Sequence, residues 1–199
     1  MVVARRAAFF PGNTMKEAHV KKYALYAALV AAGAASVAAG SSLMAQGDAG
    51  SAHAQARLEG FQEVPAISTT GHGAFTARID DKAQTITWQL SYADLEGHLV
   101  AGGVVTAAHI HVGQRGVNGG VSAFFCGGGG KPPCPTEGEM SGEITPVDVL
   151  GPSGQGVEAG SFDELVRAIR AGKTYVNVHT TRWPGGEIRG QINAGDDDR

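Results

Sequence analysis

The segment GAFTARIDDKAQTITWQLSYA (residues 73–93) decides the fold class of this sequence. In its second half, bulky apolar residues occupy every other position: Ile86, Trp88, Leu90 and Tyr92. Because side chains on a β-strand alternate between its two faces, this pattern predicts a strand with one buried face. The first half alternates in the same way, and the polar residues DDKA between the halves have the composition of a turn. The segment therefore predicts a β-hairpin that packs on a core by one face.

Further strands and one helix are predicted around this hairpin. Apolar or alternating runs bounded by Gly and Pro predict short strands at 54–59, 104–112, 119–125, 139–145, 174–180 and 186–192. A helix is predicted near residues 162–171, because Ser161 can serve as its N-cap and Glu164 follows three residues later, at the spacing of a capping box. Many short strands with frequent turns are typical of an all-β sandwich or barrel, with the helix covering one end of the sheets.

Two of the predicted strands carry histidines on one face. In VVTAAHIHV (104–112), His109 and His111 lie on the face opposite Ile110 and Val112. In TYVNVHTT (174–181), His179 shares a face with Asn177, and two valines occupy the other. If the two strands are neighbours, their aliphatic residues must be buried together. We therefore expect the three imidazoles to converge on the outer face of the sheet.

Three imidazoles held by two strands are typical of a copper or zinc site, because neutral imidazole suits both metals. Asn177 and Glu187 are candidate partners that orient the ligands. His72 and His98 lie in Gly-flanked turns, and either could supply a fourth ligand. The alternative interpretation is purely structural: histidines on a polar sheet face that are hydrogen-bonded to neighbours need no metal.

The N-terminal region has the pattern of a secretory signal peptide. The stretch KKYALYAALVAAGAASVAAGSSLMAQG (21–47) has a basic start, an apolar middle and small residues at its end. We therefore expect residues 1–45 to be removed, with Met15 as a possible start of translation and cleavage after Ala45 favoured over cleavage after Gly40. The mature protein would then be exported to a periplasmic or extracellular location and would have no membrane span.

Charge and cysteine content narrow the class of protein. Residues 46–199 contain 11 basic and 18 acidic residues, so their net charge is −7, against −3 for the whole chain. This acidic balance argues against nucleic acid as a partner, because phosphate binding needs clustered Lys and Arg.

The two cysteines of the chain, Cys126 and Cys134, are expected to form a disulfide in an exported protein.

Three motifs of this chain occur in the order of a known family. They are EVP (63–65), AHIH (108–111) and VNVH followed by GGEIRGQ (176–191). In these motifs the chain resembles the chordin (CHRD) domain of bacterial exported type over residues 54–193, and FFCGGGGKPPCP (124–135) resembles a loop of a bacterial subgroup. The resemblance implies an all-β domain at 54–193, preceded by a linker at 46–53 and followed by an acidic tail at 194–199.

A more distant likeness is to the Cu/Zn superoxide dismutase scaffold, because the strand with His109 and His111 matches the histidine pattern of a copper-binding strand. This likeness implies a Greek-key β-sandwich or barrel, with a metal outside the barrel. The sequence lacks a zinc loop like that of the dismutase. We therefore expect either a single metal ion, with copper favoured and zinc as the alternative, or a vestigial scaffold, rather than dismutase activity.

Three functions follow from these interpretations. The first is an exported metal-binding domain with His109, His111 and His179 as ligands. The second is a non-catalytic module that binds another protein or the cell surface, in which the histidines are structural. The third and least favoured is a metal-dependent redox enzyme. The sequence contains no nucleophile elbow, phosphate loop or pair of catalytic acids that would indicate another chemistry.

Overall fold

A computed structural model describes residues 51–196, apart from positions 100 and 102. The chain divides into two units, residues 1–45 and 46–199, and the described residues belong to the second. The predicted signal peptide lies outside the described residues. The first strand begins at Ser51, within the segment expected to be a linker, and a short last strand includes residues 194–196 of the expected tail.

The described residues are mostly β-structure. The strands are β1 (Ser51–Glu59), β2 (His72–Asp80), β3 (Thr85–Ala93), β4 (Val105–Val112), β5 (Gly120–Cys126), β6 (Gly138–Ile144), β7 (Thr174–Thr180), β8 (Ile188–Gln191) and β9 (Asn193–Asp196). Within residues 51–196, one α-helix, α1 (Phe162–Arg170), precedes β7, and the described part of the chain has four short 3₁₀ turns, at Gly60–Gln62, Glu96–Leu99, Pro146–Asp148 and Ser153–Gln155.

The strands form one antiparallel sheet that curls into a nearly closed barrel. Their order is β5–β4–β7–β8–β1–β2–β3–β6, and β9 also pairs with β1. Two long connections give the sheet Greek-key character, because β6 pairs with β3 rather than with β5, and β7 pairs with β4 and β8 rather than with β6. The all-β fold with one short helix, expected from the sequence, is confirmed.

The core lies inside the barrel, on the face predicted from strand alternation. In the β2–β3 hairpin, Phe75 lies opposite Leu90 and Ile79 lies opposite Ile86, and all four side chains are buried. Helix α1 adds its apolar face to this core through Phe162, Leu165, Val166 and Ile169. The capping box predicted for this helix is wrong, since Ser161 makes no side-chain capping bond. Burial of its apolar face therefore accounts for the helix.

Strands β5 and β6 lie at the two ends of the strand order, and residues of the loops before and after β6 are bonded to β5. The backbone N–H of Leu150 donates to the carbonyl of Ser122 on β5 (2.8 Å). Cys126, the last residue of β5, forms a disulfide with Cys134 in the loop that leads to β6. The predicted disulfide is therefore present in the structure, and it suggests an oxidising compartment. Among the described residues, no helix has the length and apolar character needed to cross a membrane.

Replacement of Ile86 by Ala tests the predicted inward face of the hairpin. Ile86 is fully buried opposite Ile79, so its truncation should lower the free energy of unfolding by about 2–4 kcal/mol. Thr87 is the next residue on the same strand and is exposed, so Thr87→Ala should change this free energy by less than about 0.5 kcal/mol. Urea denaturation measures both; equal effects would contradict the assignment of faces.

Candidate metal centre

Strands β4 and β7 bring the three predicted histidines together. The two strands pair antiparallel, with His109 opposite Asn177 and His179 opposite Ala107. Ile110 of β4 lies opposite Val176 of β7, and both are buried in the core of the barrel. Because neighbouring side chains on a strand point to opposite faces, the histidines lie on the other side of the sheet.

The imidazoles of His109, His111 and His179 form a compact cluster. The ring centroids of His109 and His111 are 4.5 Å apart, as are those of His109 and His179, and those of His111 and His179 are 6.3 Å apart. Each ring offers one nitrogen, and these three atoms lie within 4.8 Å of one another. Three nitrogens at this spacing could bind one ion, since a metal–nitrogen bond is about 2.0–2.1 Å long.

The expected position of this cluster on the outer face of the sheet is wrong, because the cluster is partly buried. The exposed fractions of His109 and His111 are 5% and 8%. Phe124 of β5 packs edge-on against His109, with 4.8 Å between centroids, and Tyr175 of β7 stacks on His111 at 4.6 Å. Strand alternation places the histidines on the side of the sheet away from the core. The aromatic neighbours on that side nevertheless exclude water from them.

Backbone carbonyls orient two of the three rings. Nδ1 of His111 lies 2.8 Å from the carbonyl oxygen of Gly119, and Nδ1 of His179 lies 2.9 Å from that of Pro184. Both Nδ1 atoms must carry the proton, since a carbonyl only accepts. Nε2 of each ring is then a free lone pair, and neither Nε2 atom has a hydrogen-bond partner in the described residues. Nδ1 of His109 is also buried without a partner there.

Burial also holds these rings neutral. It lowers the pKa of His111 to about 4, although the bond to Gly119 opposes the shift. Burial, reinforced by the neighbouring imidazoles, lowers the pKa of His109 further, and burial lowers that of His179 as well. At neutral pH the cluster therefore presents lone pairs rather than protons, which is the form that binds a metal.

The two candidate orienting residues have different surroundings. Asn177 is 3% exposed, lies opposite His109, and its Oδ1 has no hydrogen-bond partner in the described residues. Glu187 is fully buried, and its carboxylate accepts hydrogen bonds from Thr69, Thr180, Glu96 and Gly97, of which the last two donate through the backbone. Glu187 thus fastens two loops to the residue after His179, and within the described residues its hydrogen bonds go to these groups rather than to an imidazole.

Sequence reasoning did not single out Glu63 as a residue of this region. Glu63 follows the turn after β1, is 6% exposed, and faces the same space as Asn177. A Cβ atom at Gly186 would lie about 2.5 Å from both Oε1 of Glu63 and Oδ1 of Asn177, so only glycine fits there. Glu63 is the first residue of the EVP motif, and this position could have identified it from the sequence.

A buried cation lies behind Tyr175. Arg189 of β8 is 1% exposed, and its guanidinium carbon lies 3.4 Å from the centroid of the Tyr175 ring. The guanidinium donates to the carbonyls of Gln114 and Val117 and to Oδ1 of Asn118. Arg189 therefore holds the loop that carries Gly119, the carbonyl partner of His111.

Of the two other candidate histidines, His72 does not join the cluster. His72 is exposed at the start of β2, and its Nδ1 lies 3.7 Å from the carboxylate of Asp94. His98 belongs to the 3₁₀ turn Glu96–Leu99. In the described residues, the possible metal ligands that come together are therefore His109, His111 and His179.

A comparison with known protein families identifies the family of this chain. The CHRD domain model matches residues 54–192, most of the chain. The chain therefore belongs to the CHRD-domain family. No curated protein and no solved structure matches it.

Replacement of Glu63 by Gln tests its burial through the pH dependence of stability. Burial raises the pKa of Glu63 from 4.5 to about 7, against the opposing effect of Arg189. Between these values the folded state binds more protons than the unfolded state, so this group lowers stability as pH rises. The free energy of unfolding of Glu63→Gln minus that of the wild type should therefore increase as pH rises from about 4.5 to 7. Urea denaturation at several pH values measures the difference in the free energy of unfolding between the variant and the wild type. The histidines are present in both proteins, so their titration contributes equally to each. A difference that stays constant with pH would contradict the prediction.

Proposed function

We propose that this protein is an exported CHRD-domain protein that binds one metal ion, with copper preferred to zinc. The ligand atoms are Nδ1 of His109, Nε2 of His111 and Nε2 of His179. The observation that carries the proposal is that these three buried nitrogens lack hydrogen-bond partners in the described residues and belong to rings whose ligand atoms lie within 4.8 Å of one another.

The free nitrogens favour a metal over a purely structural role. A buried polar atom without a partner costs about 1–3 kcal/mol, and structural histidines ordinarily avoid this cost by hydrogen bonding through both nitrogens or by exposure. Here His111 and His179 each use Nδ1 for a backbone carbonyl and leave Nε2 unpaired. A proton on one nitrogen that is fixed by a carbonyl is the arrangement that orients metal-bound histidines.

The donor set favours copper. The cluster contains three neutral imidazoles and neither a carboxylate nor a thiolate. For divalent ions, the affinity of nitrogen donors is higher for copper than for zinc. Burial adds a second reason, because the cost of taking an ion out of water rises steeply with its charge. A buried site whose ligands supply no negative charge suits monovalent copper better than divalent zinc.

Export is supported by two independent features. The disulfide between Cys126 and Cys134 is typical of oxidising compartments. The basic and apolar stretch in residues 21–45 has the order of a secretory signal peptide. Together they favour a periplasmic or extracellular protein.

Removal of two ligands should weaken metal binding strongly. The wild-type chain should bind one equivalent of copper, and His109→Ala/His111→Ala should weaken binding by at least about 100-fold, more than the loss of an orienting group. His72→Ala is the matched control, because His72 is an exposed histidine outside the cluster and its loss should leave binding unchanged. Equilibrium dialysis with metal analysis measures both.

Two results would contradict the metal proposal: a wild-type chain that binds no copper or zinc, or a double variant that binds as the wild type does. The first would favour the alternative function, a module that binds a protein or the cell surface and in which the histidines are structural.

Competition between metals tests the preference for copper. When monovalent copper and zinc are offered together at equal free concentration, we expect the wild-type chain to retain copper, because its buried ligands are all neutral. Metal analysis after gel filtration measures occupancy. Retention of zinc would contradict the preference for copper while leaving the metal site itself intact.

A further inference from the structure

We propose that the disulfide between Cys126 and Cys134 controls access to the histidine cluster. In this proposal, which rests on the proposed metal-binding function, the disulfide holds a glycine-rich loop against Phe124, and Phe124 covers His109. With the disulfide formed, the cluster is closed and retains its metal. With the disulfide reduced, the cover loosens and metal exchanges rapidly.

The first link is the folded loop that the disulfide closes. Residues 127–133 connect the two cysteines, and the N–H of Gly127 donates to the carbonyl of Pro132 (2.8 Å). Inside this ring, the N–H of Lys131 donates to the carbonyl of Gly128 (3.0 Å). Gly127, Gly129 and Gly130 have positive φ angles, which glycine adopts without strain. A loop with so many glycines has high conformational freedom when it is not tied at its ends.

The second link is contact between this loop and the Phe124 ring. A Cβ atom at Gly128 would collide with the ring, and one at Gly129 would lie 2.9 Å from its Cδ2 atom. The loop backbone therefore lies directly on Phe124, and no side chain fits between them. Gly127 approaches the backbone of Thr106 and Ala107 on β4 with the same closeness. The loop is thus seated over the strand that carries His109 and His111.

The third link joins Phe124 to the cluster. Phe124 of β5 lies directly opposite His109 of β4, and their rings meet edge to face at 77°. His109 is only 5% exposed, and its Nδ1 is one of the proposed ligand atoms. Because Phe124 is itself only half-buried, the loop above it supplies part of the packing that keeps it in place.

Reduction would act on the first link. A dithiol supplies two electrons and two protons, the S–S bond breaks to give two cysteine thiols, and the dithiol becomes a disulfide. The loop would then keep noncovalent contacts only, such as the ion pair between Lys131 and Asp148 (2.7 Å). Since a cross-link restricts the conformations of the chain it closes, its loss should favour open loop conformations. Phe124 would lose its cover, and His109 would become accessible.

The test compares the full-length wild-type chain with Cys126→Ser/Cys134→Ser in two assays. The first is transfer of bound copper to a chelator, which should be about 10-fold faster or more in the variant. The second needs no metal: modification of histidines by diethyl pyrocarbonate, read for each histidine by mass spectrometry. His109 should react faster in the variant, while exposed His72 should react equally in both and serves as an internal reference.

Phe124→Ala, with the disulfide intact, tests the last link and guards against unfolding of the serine variant. It should reproduce faster copper transfer and faster His109 modification. Val147→Ala is its matched control, because Val147 is 86% exposed and its truncation should change neither rate. Equal His109 reactivity in the wild type, the serine variant and Phe124→Ala would overturn the proposal. Increased His109 reactivity in a chain that binds no copper would overturn the proposed function and leave the disulfide-controlled cover established.

Discussion

The pairing of β4 with β7 is the constraint on which the rest of this molecule depends. Ile110 and Val176 lie opposite each other in the barrel core, and this burial turns every second residue of both strands to the outer side. His109, His111 and His179 are therefore placed by the hydrophobic effect acting on their neighbours in sequence. A shift of this register by one residue would exchange the buried aliphatic residues with the imidazoles. The position of the cluster is consequently fixed by the packing of the core.

The outer side of these strands is not a solvated surface but a second, polar layer. Tyr175 contacts both His111 and the guanidinium of Arg189, and Arg189 secures the loop whose Gly119 carbonyl orients His111. On the other flank, the carboxylate of Glu187 fastens loops next to His179. Buried polar groups stabilise a structure when they are fully paired and destabilise it when they are not. In this layer, three unpaired imidazole nitrogens belong to rings whose ligand atoms lie within 4.8 Å of one another.

The disulfide lies next to this polar layer, at the end of strand β5. Cys126 is the last residue of β5 and lies two residues after Phe124. The disulfide, the loop that it closes and the Phe124 ring that covers His109 are therefore close together at the end of this strand. The histidine cluster is held by strands on one side and covered on the other side by a loop that the disulfide closes. Such a site can keep a fixed ligand geometry and still become accessible when the loop moves. Strands supply the rigidity, because their backbone is fixed by pairing, and loops supply the movement.

The sequence by itself determined which residues share a face, because the alternation of side chains along a strand is a local property of the backbone. It was sufficient to predict the β2–β3 hairpin, the histidines opposite Ile110 and the pairing of Cys126 with Cys134. Only the tertiary structure decided that β7 lies beside β4, that Phe124 and Tyr175 cover the histidines, and that Glu63 approaches Asn177. Strand order and loop packing depend on contacts between residues far apart in the chain, and loops have no periodic pattern that reveals those contacts. For this reason the residues of the cluster were predictable, whereas its burial was not.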